Sequence, residues 1–99
     1  MHKIRYSKQA DADLLEMIVH IEASSPKNAL EYLQRYEKKI ALLRLNPEMG
    51  TYCANKKIEK NCRVLIFESH IIIYSINPAV NEIFIIRIFH HSVNYKGKL

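Results

Sequence analysis

The sequence predicts a single α+β domain over residues 1–99, with the element order β-α-α-β-β-β and a helical hairpin packed on one face of a small antiparallel sheet. Three observations support this prediction. The length of 99 residues suits one domain with one core. Apolar residues recur at helical spacing through the first half of the chain. In the second half, short runs of Val, Ile, Phe and Tyr are bounded by turn residues, as strands are.

The first predicted elements are a short strand and a helix. Residues His2–Tyr6 alternate polar and apolar side chains, which predicts a strand. Ser7 suits the N-cap of the helix, and Asp11 and Asp13 lie in its opening turns, where carboxylates meet the positive end of the helix dipole. We expect this helix to run to about Ser24. Its apolar stripe consists of Ala10, Leu14, Ile18 and Ile21.

A second helix is predicted from Pro26 to Leu45. Ser25 suits its N-cap, and Pro26 suits the first helical position because an N–H there has no intrahelical partner. Asn46 and Pro47 end the helix. Two amphipathic helices joined so tightly form a helical hairpin. The apolar stripe of the second helix consists of Ala29, Leu33, Tyr36, Ile40 and Leu43.

The rest of the chain predicts a loop followed by strands. The loop opens at Met49-Gly50-Thr51, runs through Asn61 and is rich in lysine. An antiparallel meander follows, and the basic tail His91–Leu99 ends the chain. Because these strands are apolar on both faces, we expect the helices to cover one face and another group to cover the other. The predicted strands are Arg63–Phe67, His70–Ile76 and Glu82–His90.

The charge of the chain is unevenly distributed. The formal net charge is +5, and residues 51–99 hold seven basic and three acidic side chains. This basic half favours an acidic partner, either nucleic acid or an acidic protein segment. The sequence contains neither a signal peptide nor a membrane-length apolar run, so we expect a cytoplasmic protein without membrane contact. In that compartment Cys53 and Cys62 should be reduced thiols, and their spacing is not that of a zinc site, so we expect no metal and no cofactor.

The candidates for chemistry are basic and aromatic side chains of the second half. The sequence has no Gly-rich phosphate loop, no nucleophile elbow and no His-Glu-x-x-His motif, which disfavours most enzyme classes. The remaining set can bind phosphate and transfer protons in RNA cleavage. The alternative is that the lysines form a solvated surface and the arginines pair across the ladder. The set comprises Lys56, Lys57, Lys60, Arg63, His70, Arg87, His90, His91, Tyr95 and Lys96.

A series of short motifs runs through nearly the whole chain. It begins with Tyr6-Ser7-x-x-Ala10-x-x-Asp13-Leu14 and continues with Ala29-x3-Leu33 and Pro47-x-x-Gly50. It ends with Arg63, His70-x3-Tyr74 and Ile83-x3-Arg87-Ile88-x-His90, followed by His91-Ser92-Val93-Asn94. In this order and spacing the motifs resemble the RelE/ParE superfamily of type II toxins, and within it the ParE-like branch.

The resemblance implies a toxin that a small, acidic and partly extended antitoxin neutralises in a hetero-oligomer. ParE-like members bind DNA gyrase and block replication, whereas RelE-like members cut mRNA on the ribosome. The predicted middle strand reads His70-Ile71-Ile72-Ile73-Tyr74 and lacks the basic residue of RelE-like nucleases, which favours the gyrase target. The alternatives are a ribosome-dependent mRNA interferase and an inert binding module of the same fold.

Three sets of candidate residues follow from this interpretation. An mRNA interferase would use Arg63, Arg87, His90, His91 and Tyr95. Target-binding candidates are Lys60, Arg63, Arg87, His90, His91, Asn94, Tyr95 and Lys96. Antitoxin-binding candidates are Tyr36, Ile40, Leu43, Ile71, Ile73 and Phe84.

Overall fold

In the computed structural model, which describes residues 2–53 and 61–91, two helices pack against a five-stranded mixed sheet. The predicted bounds of the second helix and of two strands are confirmed, and the other predicted elements differ by about a residue at an end. A 3-10 turn at Pro47–Met49 and one short strand were not predicted. The helices are α1 (Lys8–Ser24) and α2 (Pro26–Leu45), and the strands are β1 (Lys3–Tyr6), β2 (Thr51–Tyr52), β3 (Arg63–Phe67), β4 (His70–Asn77) and β5 (Glu82–His90).

Both helices begin with a serine cap. The Ser7 hydroxyl oxygen accepts the N–H of Ala10 at 2.9 Å, and that of Ser25 accepts the N–H of Asn28 at 3.2 Å. Ser7 also donates its own hydroxyl proton to the carbonyl oxygen of Ile86 at 2.6 Å. The first cap therefore fixes the start of α1 against β5.

The sheet has the order β1-β5-β4-β3-β2. β3, β4 and β5 form the predicted antiparallel meander, but β1 pairs in parallel with β5, and Ile4 lies opposite Ile83. The sheet is therefore mixed and not purely antiparallel. Alternation in a four-residue strand is the same in either direction, so the sequence carried no signal for its orientation. A register shift between Ile73 and Tyr74 marks an irregularity in the β4–β5 ladder.

The main core lies between the helices and the sheet. It contains fully buried side chains of α2, β4 and β5, and its largest is Tyr74. A second apolar cluster contains Val64, Ile71, Ile73 and Phe89, together with both cysteines. Side chains that alternate along β4 belong to different clusters, so both faces of the sheet are packed within the chain. The expectation that the face away from the helices is left for another group is wrong at Ile71 and Ile73, which are 6% and 0% exposed.

Cys53 and Cys62 form a disulfide in the second cluster, with their Cα atoms 5.3 Å apart. The expectation of two thiols is therefore wrong for this structure. That expectation followed from the compartment, whereas the unpredicted pairing of β2 with β3 brings the two cysteines opposite each other. Among the described residues, no helix is long and apolar enough to cross a membrane.

Candidate functional site

The predicted site residues that the structure describes fall at two ends of the sheet. In the ladders, Arg63 lies opposite Tyr74, and Tyr74 lies opposite Ile85. At the other end, Phe67 lies opposite His70, and His70 lies opposite His90. Four residues along a strand span about 13 Å, and β3 and β5 are separated by another strand. Arg63 and His90 therefore do not meet at one phosphate.

Histidines converge at the end of β5, at a place that we call the histidine corner (His70, His90 and His91). The ring centroids of His70 and His90 are 5.4 Å apart, and those of His90 and His91 are 4.4 Å apart. The backbone N–H of His91 donates to the carbonyl oxygen of Ser69 at 2.8 Å, which holds the end of β5 beside the β3–β4 turn. The sequence placed His90 and His91 together, but it did not bring His70 to them.

Tyr32 on α2 joins this corner, and sequence reasoning missed it. Its hydroxyl oxygen lies 2.5 Å from Nδ1 of His70. Burial, with a further contribution from Glu68, raises the pKa of Tyr32 to about 12, so its hydroxyl keeps its proton at neutral pH. Burial lowers the pKa of His70, and the neighbouring His90 and His91 lower it further. The phenol and the imidazole are therefore both neutral and share one hydrogen bond near pH 7.

Arg87 lies close to the histidine corner on β5, but its guanidinium is bound by Asp13 of α1. Nε of Arg87 is 2.8 Å from Oδ2 of Asp13, and Nη2 is 3.1 Å from Oδ1. The hydrogen bonds to Asp13 raise the pKa of Arg87. The guanidinium also stacks on Phe89, with 4.5 Å between its carbon and the ring centroid. Through its ion pair with Asp13, the Arg87 guanidinium therefore holds α1 on the sheet.

A cleft of about 970 Å³ opens between the helical hairpin and this end of the sheet. Met17, Ile21 and Phe89 contribute apolar surface to it, and Glu16 and Glu31 contribute carboxylates. Both arginines in its lining are paired, because Arg87 binds Asp13 and Arg35 binds Glu68. The described lining holds four carboxylates and only two guanidinium groups, both of them paired, so it does not form an anion site.

At the other end of the sheet, Arg63 fixes the turn that follows α2. Its Nη1 donates to the carbonyl oxygens of Glu48 at 3.1 Å and Gly50 at 2.8 Å. The guanidinium carbon lies 3.9 Å from the centroid of the Tyr52 ring, which is half exposed. Arg63 therefore has a structural role, and its stacked pair with Tyr52 is a feature of the surface.

Most of the antitoxin-binding candidates are buried, so the structure does not place them on the surface where a partner would contact them. Each is at most 9% exposed, apart from Phe84, which is partly buried beneath the guanidinium of Arg5. The sequence analysis assigned these apolar residues to contacts with a partner, but in the structure they pack within the chain itself. The buried candidates are Tyr36, Ile40, Leu43, Ile71 and Ile73. Apolar side chains that are more than half exposed include Leu15, Val19, Leu30 and Ile66.

Several predicted residues lie outside the described part of the chain, namely Lys56, Lys57, Lys60, Asn94, Tyr95 and Lys96. Among the residues that the structure does describe, no three His, Cys, Asp or Glu side chains are arranged to hold a metal ion.

Two helices on an open mixed sheet of five strands define the fold of the ParE and RelE toxins, and the structural comparisons show it. A toxin chain of the chromosomal ParDE toxin-antitoxin system from P. aeruginosa superposes with a TM-score of 0.70 at 21% identity, covering 91% of this chain and 96% of that one. The toxin-antitoxin complex RelBE2 from Mycobacterium tuberculosis gives a TM-score of 0.58 at 13% identity, covering 90% and 96%. No curated protein matches the chain significantly.

The sequence itself matches the family of ParE toxins of the type II toxin-antitoxin system parDE over residues 4–95. The chain belongs to this family, which confirms the resemblance seen in the sequence.

Proposed function

We propose that this ParE-family toxin inhibits DNA gyrase and blocks replication, and that a cognate antitoxin neutralises it in a hetero-oligomer. The observation that carries the proposal is the family match over residues 4–95, which spans both helices and every described strand except the first residue of β1. The toxin class is that of the family, and the gyrase target is our inference. This target places the protein in the cytoplasm.

The arrangement of the cations supports a binding protein over a nuclease. Cleavage of RNA needs a cation on the phosphate beside a proton-transferring group. Arg87 is bound by Asp13, and Arg63 holds backbone carbonyl oxygens at the far end of the sheet. Because of these contacts, neither guanidinium is positioned to bind a phosphate beside the histidine corner. We therefore assign His90 and His91, both exposed, to the surface that contacts the target.

The charge of the chain supports an acidic antitoxin. The net charge is +5, and four of these five units lie in residues 51–99. Long-range attraction of this sign accelerates association with an acidic segment. Apolar side chains that remain exposed on the helices, such as Leu15 and Val19, supply contact surface for the same partner. Both solved relatives named above come from toxin-antitoxin systems.

The histidine corner is the observation that favours the second candidate, ribosome-dependent cleavage of mRNA. It brings three imidazoles and the Tyr32 hydroxyl to one end of the sheet, and such groups can serve as general acid and base. In this function His90 or His91 would transfer the proton, and Arg87 would have to leave Asp13 to reach the phosphate.

Pulse labelling separates the two candidate functions. The toxin is induced in cells that lack the antitoxin, and incorporation of thymidine and methionine is followed over the first minutes. We expect thymidine incorporation to fall first. An earlier fall in methionine incorporation would replace the gyrase proposal by mRNA cleavage, and normal growth would indicate an inert binding module.

A supercoiling assay then tests the target directly. Purified toxin at micromolar concentration is added to gyrase from its host with relaxed plasmid, with and without the antitoxin. We expect supercoiling to stop and the antitoxin to restore it. The variants His90→Ala and His91→Ala should weaken inhibition, whereas Lys38→Ala, on an exposed position of α2, should inhibit like the wild type. Unchanged supercoiling at micromolar excess of toxin would contradict the proposal.

A further inference from the structure

The disulfide between Cys53 and Cys62 continues the short ladder between β2 and β3. Thr51 lies opposite Val64 and Tyr52 lies opposite Arg63. Cys53, which follows β2, donates its backbone N–H to the carbonyl oxygen of Cys62 at 2.9 Å. The covalent bond thus ties the outermost strand of the sheet to its neighbour directly after the last ladder pair.

β2 has little else to hold it. It consists of two residues, and both are exposed, so it contributes no buried side chain to either cluster. A strand this short at the edge of a sheet opens easily because few hydrogen bonds must break together. Beside the ladder with β3, the neighbouring contacts include those of Arg63 with Gly50 and with the Tyr52 ring, and the hydrogen bond from the Gly50 N–H to the Tyr74 hydroxyl. The disulfide is therefore the strongest single constraint on this edge.

The bond is shielded from reagents while the edge is closed. Cys53 has no exposed surface, and Cys62 is 3% exposed. They pack with Val64, Ile73 and Phe89 in the second apolar cluster. Thiol–disulfide exchange requires the attacking thiolate to reach a sulfur atom. Reduction therefore proceeds through opening of the edge, and loss of the bond makes that opening more frequent.

We propose that the Cys53–Cys62 disulfide is a redox switch of the β2 edge, which holds the stacked pair of Tyr52 and Arg63 on the sheet when oxidised and releases β2 when reduced. A cellular dithiol supplies the electrons. One of its thiolates attacks Sγ of either cysteine, the Sγ–Sγ bond breaks, and a mixed disulfide forms. The second thiolate resolves it, so both cysteines end as thiols and the reductant ends as a disulfide. This inference is independent of the gyrase target.

The switch is tested by amide hydrogen exchange on the whole chain before and after reduction with dithiothreitol. Intact mass after alkylation first establishes the number of free thiols in each sample. The Cys53 amide should exchange at least about tenfold faster after reduction, because its hydrogen bond to Cys62 lies beside the broken link. The Ser7 amide, which donates to Ile85 near the opposite edge of the sheet, is the internal control and should change less than about twofold. Reoxidation by an excess of oxidised glutathione, whose disulfide accepts the two electrons, should restore protection.

The double variant Cys53→Ala/Cys62→Ala should match the reduced wild type and should not respond to dithiothreitol. Equal protection of the Cys53 amide in both redox states would overturn the switch. Equal acceleration of the Cys53 and Ser7 amides would also overturn it, because the bond would then only stabilise the fold as a whole. Two free thiols in protein purified under air would contradict the oxidised state. If the variant fails to fold, the comparison of the two wild-type states decides by itself.

Discussion

Asp13 on α1 binds Arg87 on β5 at two points, with 2.8 Å from Oδ2 to Nε and 3.1 Å from Oδ1 to Nη2. Oδ2 also accepts the backbone N–H of Ile88 at 2.9 Å. β1 pairs with β5 only as far as Ile85, so this carboxylate satisfies a backbone donor on the part of β5 that β1 does not cover. The side chains of Asp13 and Arg87 are 13% and 25% exposed, so water screens their attraction less than that of a surface pair.

Replacement of Asp13 by Ala should lower the free energy of unfolding by roughly 2 to 3 kcal/mol, because it leaves a half-buried guanidinium and one backbone N–H without their acceptor. Urea denaturation of the free toxin measures the change. The matched control is Glu82→Ala, which removes the ion pair with Arg5, whose side chain is 60% exposed, and should cost less than about 1 kcal/mol. Similar losses in the two variants would show that the bidentate geometry of the Asp13–Arg87 pair adds nothing to the free energy of unfolding.

Tyr74→Phe should destabilise the fold by about 2 kcal/mol. The Tyr74 hydroxyl donates to the carbonyl oxygen of Pro47 at 2.6 Å and accepts the N–H of Gly50 at 2.9 Å, and the residue has no exposed surface. Phe keeps the ring but leaves both backbone groups unpaired. Thermal or urea unfolding measures the effect. The control is Tyr52→Phe, because Tyr52 is 52% exposed, and the change should be close to neutral.

Gly50→Ala should be more damaging than a change from glycine to alanine usually is. A Cβ on Gly50 would lie 2.7 Å from the Tyr74 hydroxyl oxygen and 2.8 Å from the carbonyl oxygen of Val64. The φ angle of Gly50 is −80°, so the backbone accepts alanine and lack of space is the only obstacle. We expect a loss of roughly 1 to 3 kcal/mol in the free energy of unfolding. A melting temperature equal to that of the wild type would contradict this reading of the turn.

The fold could be predicted from local patterns because each long element carries its own signal. Ser7 and Ser25 indicated where the two helices begin, and runs of Val, Ile and Phe predicted β3, β4 and β5. The parallel pairing of β1 and the two-residue β2 could not be predicted, because both depend on contacts between residues far apart in the chain. For the same reason the disulfide was missed.

The site was predicted less well than the fold. His90 and His91 are adjacent in the sequence, but Tyr32 and His70 are 38 residues apart, and only the packing of α2 on the sheet joins them. Asp13 was explained by the helix dipole, whereas its partner Arg87 lies 74 residues further along. A single sequence does not show which residue an ionisable side chain in a helix or strand will contact in the fold.

Leu43→Ala tests whether α2 residues once assigned to an antitoxin belong to the core. Leu43 has no exposed surface and lies in the main cluster, so its truncation should lower the free energy of unfolding of the free toxin by roughly 2 to 5 kcal/mol. Its neighbour Leu42 on the same helix is 50% exposed, and Leu42→Ala should cost less than about 1 kcal/mol. Denaturant unfolding without antitoxin measures both. Similar, small losses in the two variants would indicate that Leu43 belongs to the surface that contacts the antitoxin.

The histidine corner makes stability depend on pH with a defined sign. His70 has an ordinary pKa of 6.5, and burial, His90 and His91 lower it in the folded state, while Glu68 acts in the opposite direction. Above about pH 6.5, His70 is neutral in both the folded and the unfolded state and adds no pH dependence. Below it, the unfolded chain binds a proton that the folded chain resists. The groups that face His70 are Tyr32 on α2, Glu68 in the β3–β4 turn, His90 and His91 at the end of β5, and His20 on α1.

The free energy of unfolding should therefore fall as the pH drops below about 6.5, and the fall should level off once the folded state also protonates His70. His70→Gln keeps an acceptor for the Tyr32 hydroxyl but cannot be protonated, so it should reduce the loss between about pH 7.5 and 5.5. His2→Gln, which replaces a histidine next to β1 and away from the corner, should keep the wild-type pH dependence. Urea titrations of the three proteins at each pH decide. If His70→Gln and His2→Gln lose the same stability on acidification, groups other than His70 cause the acid sensitivity.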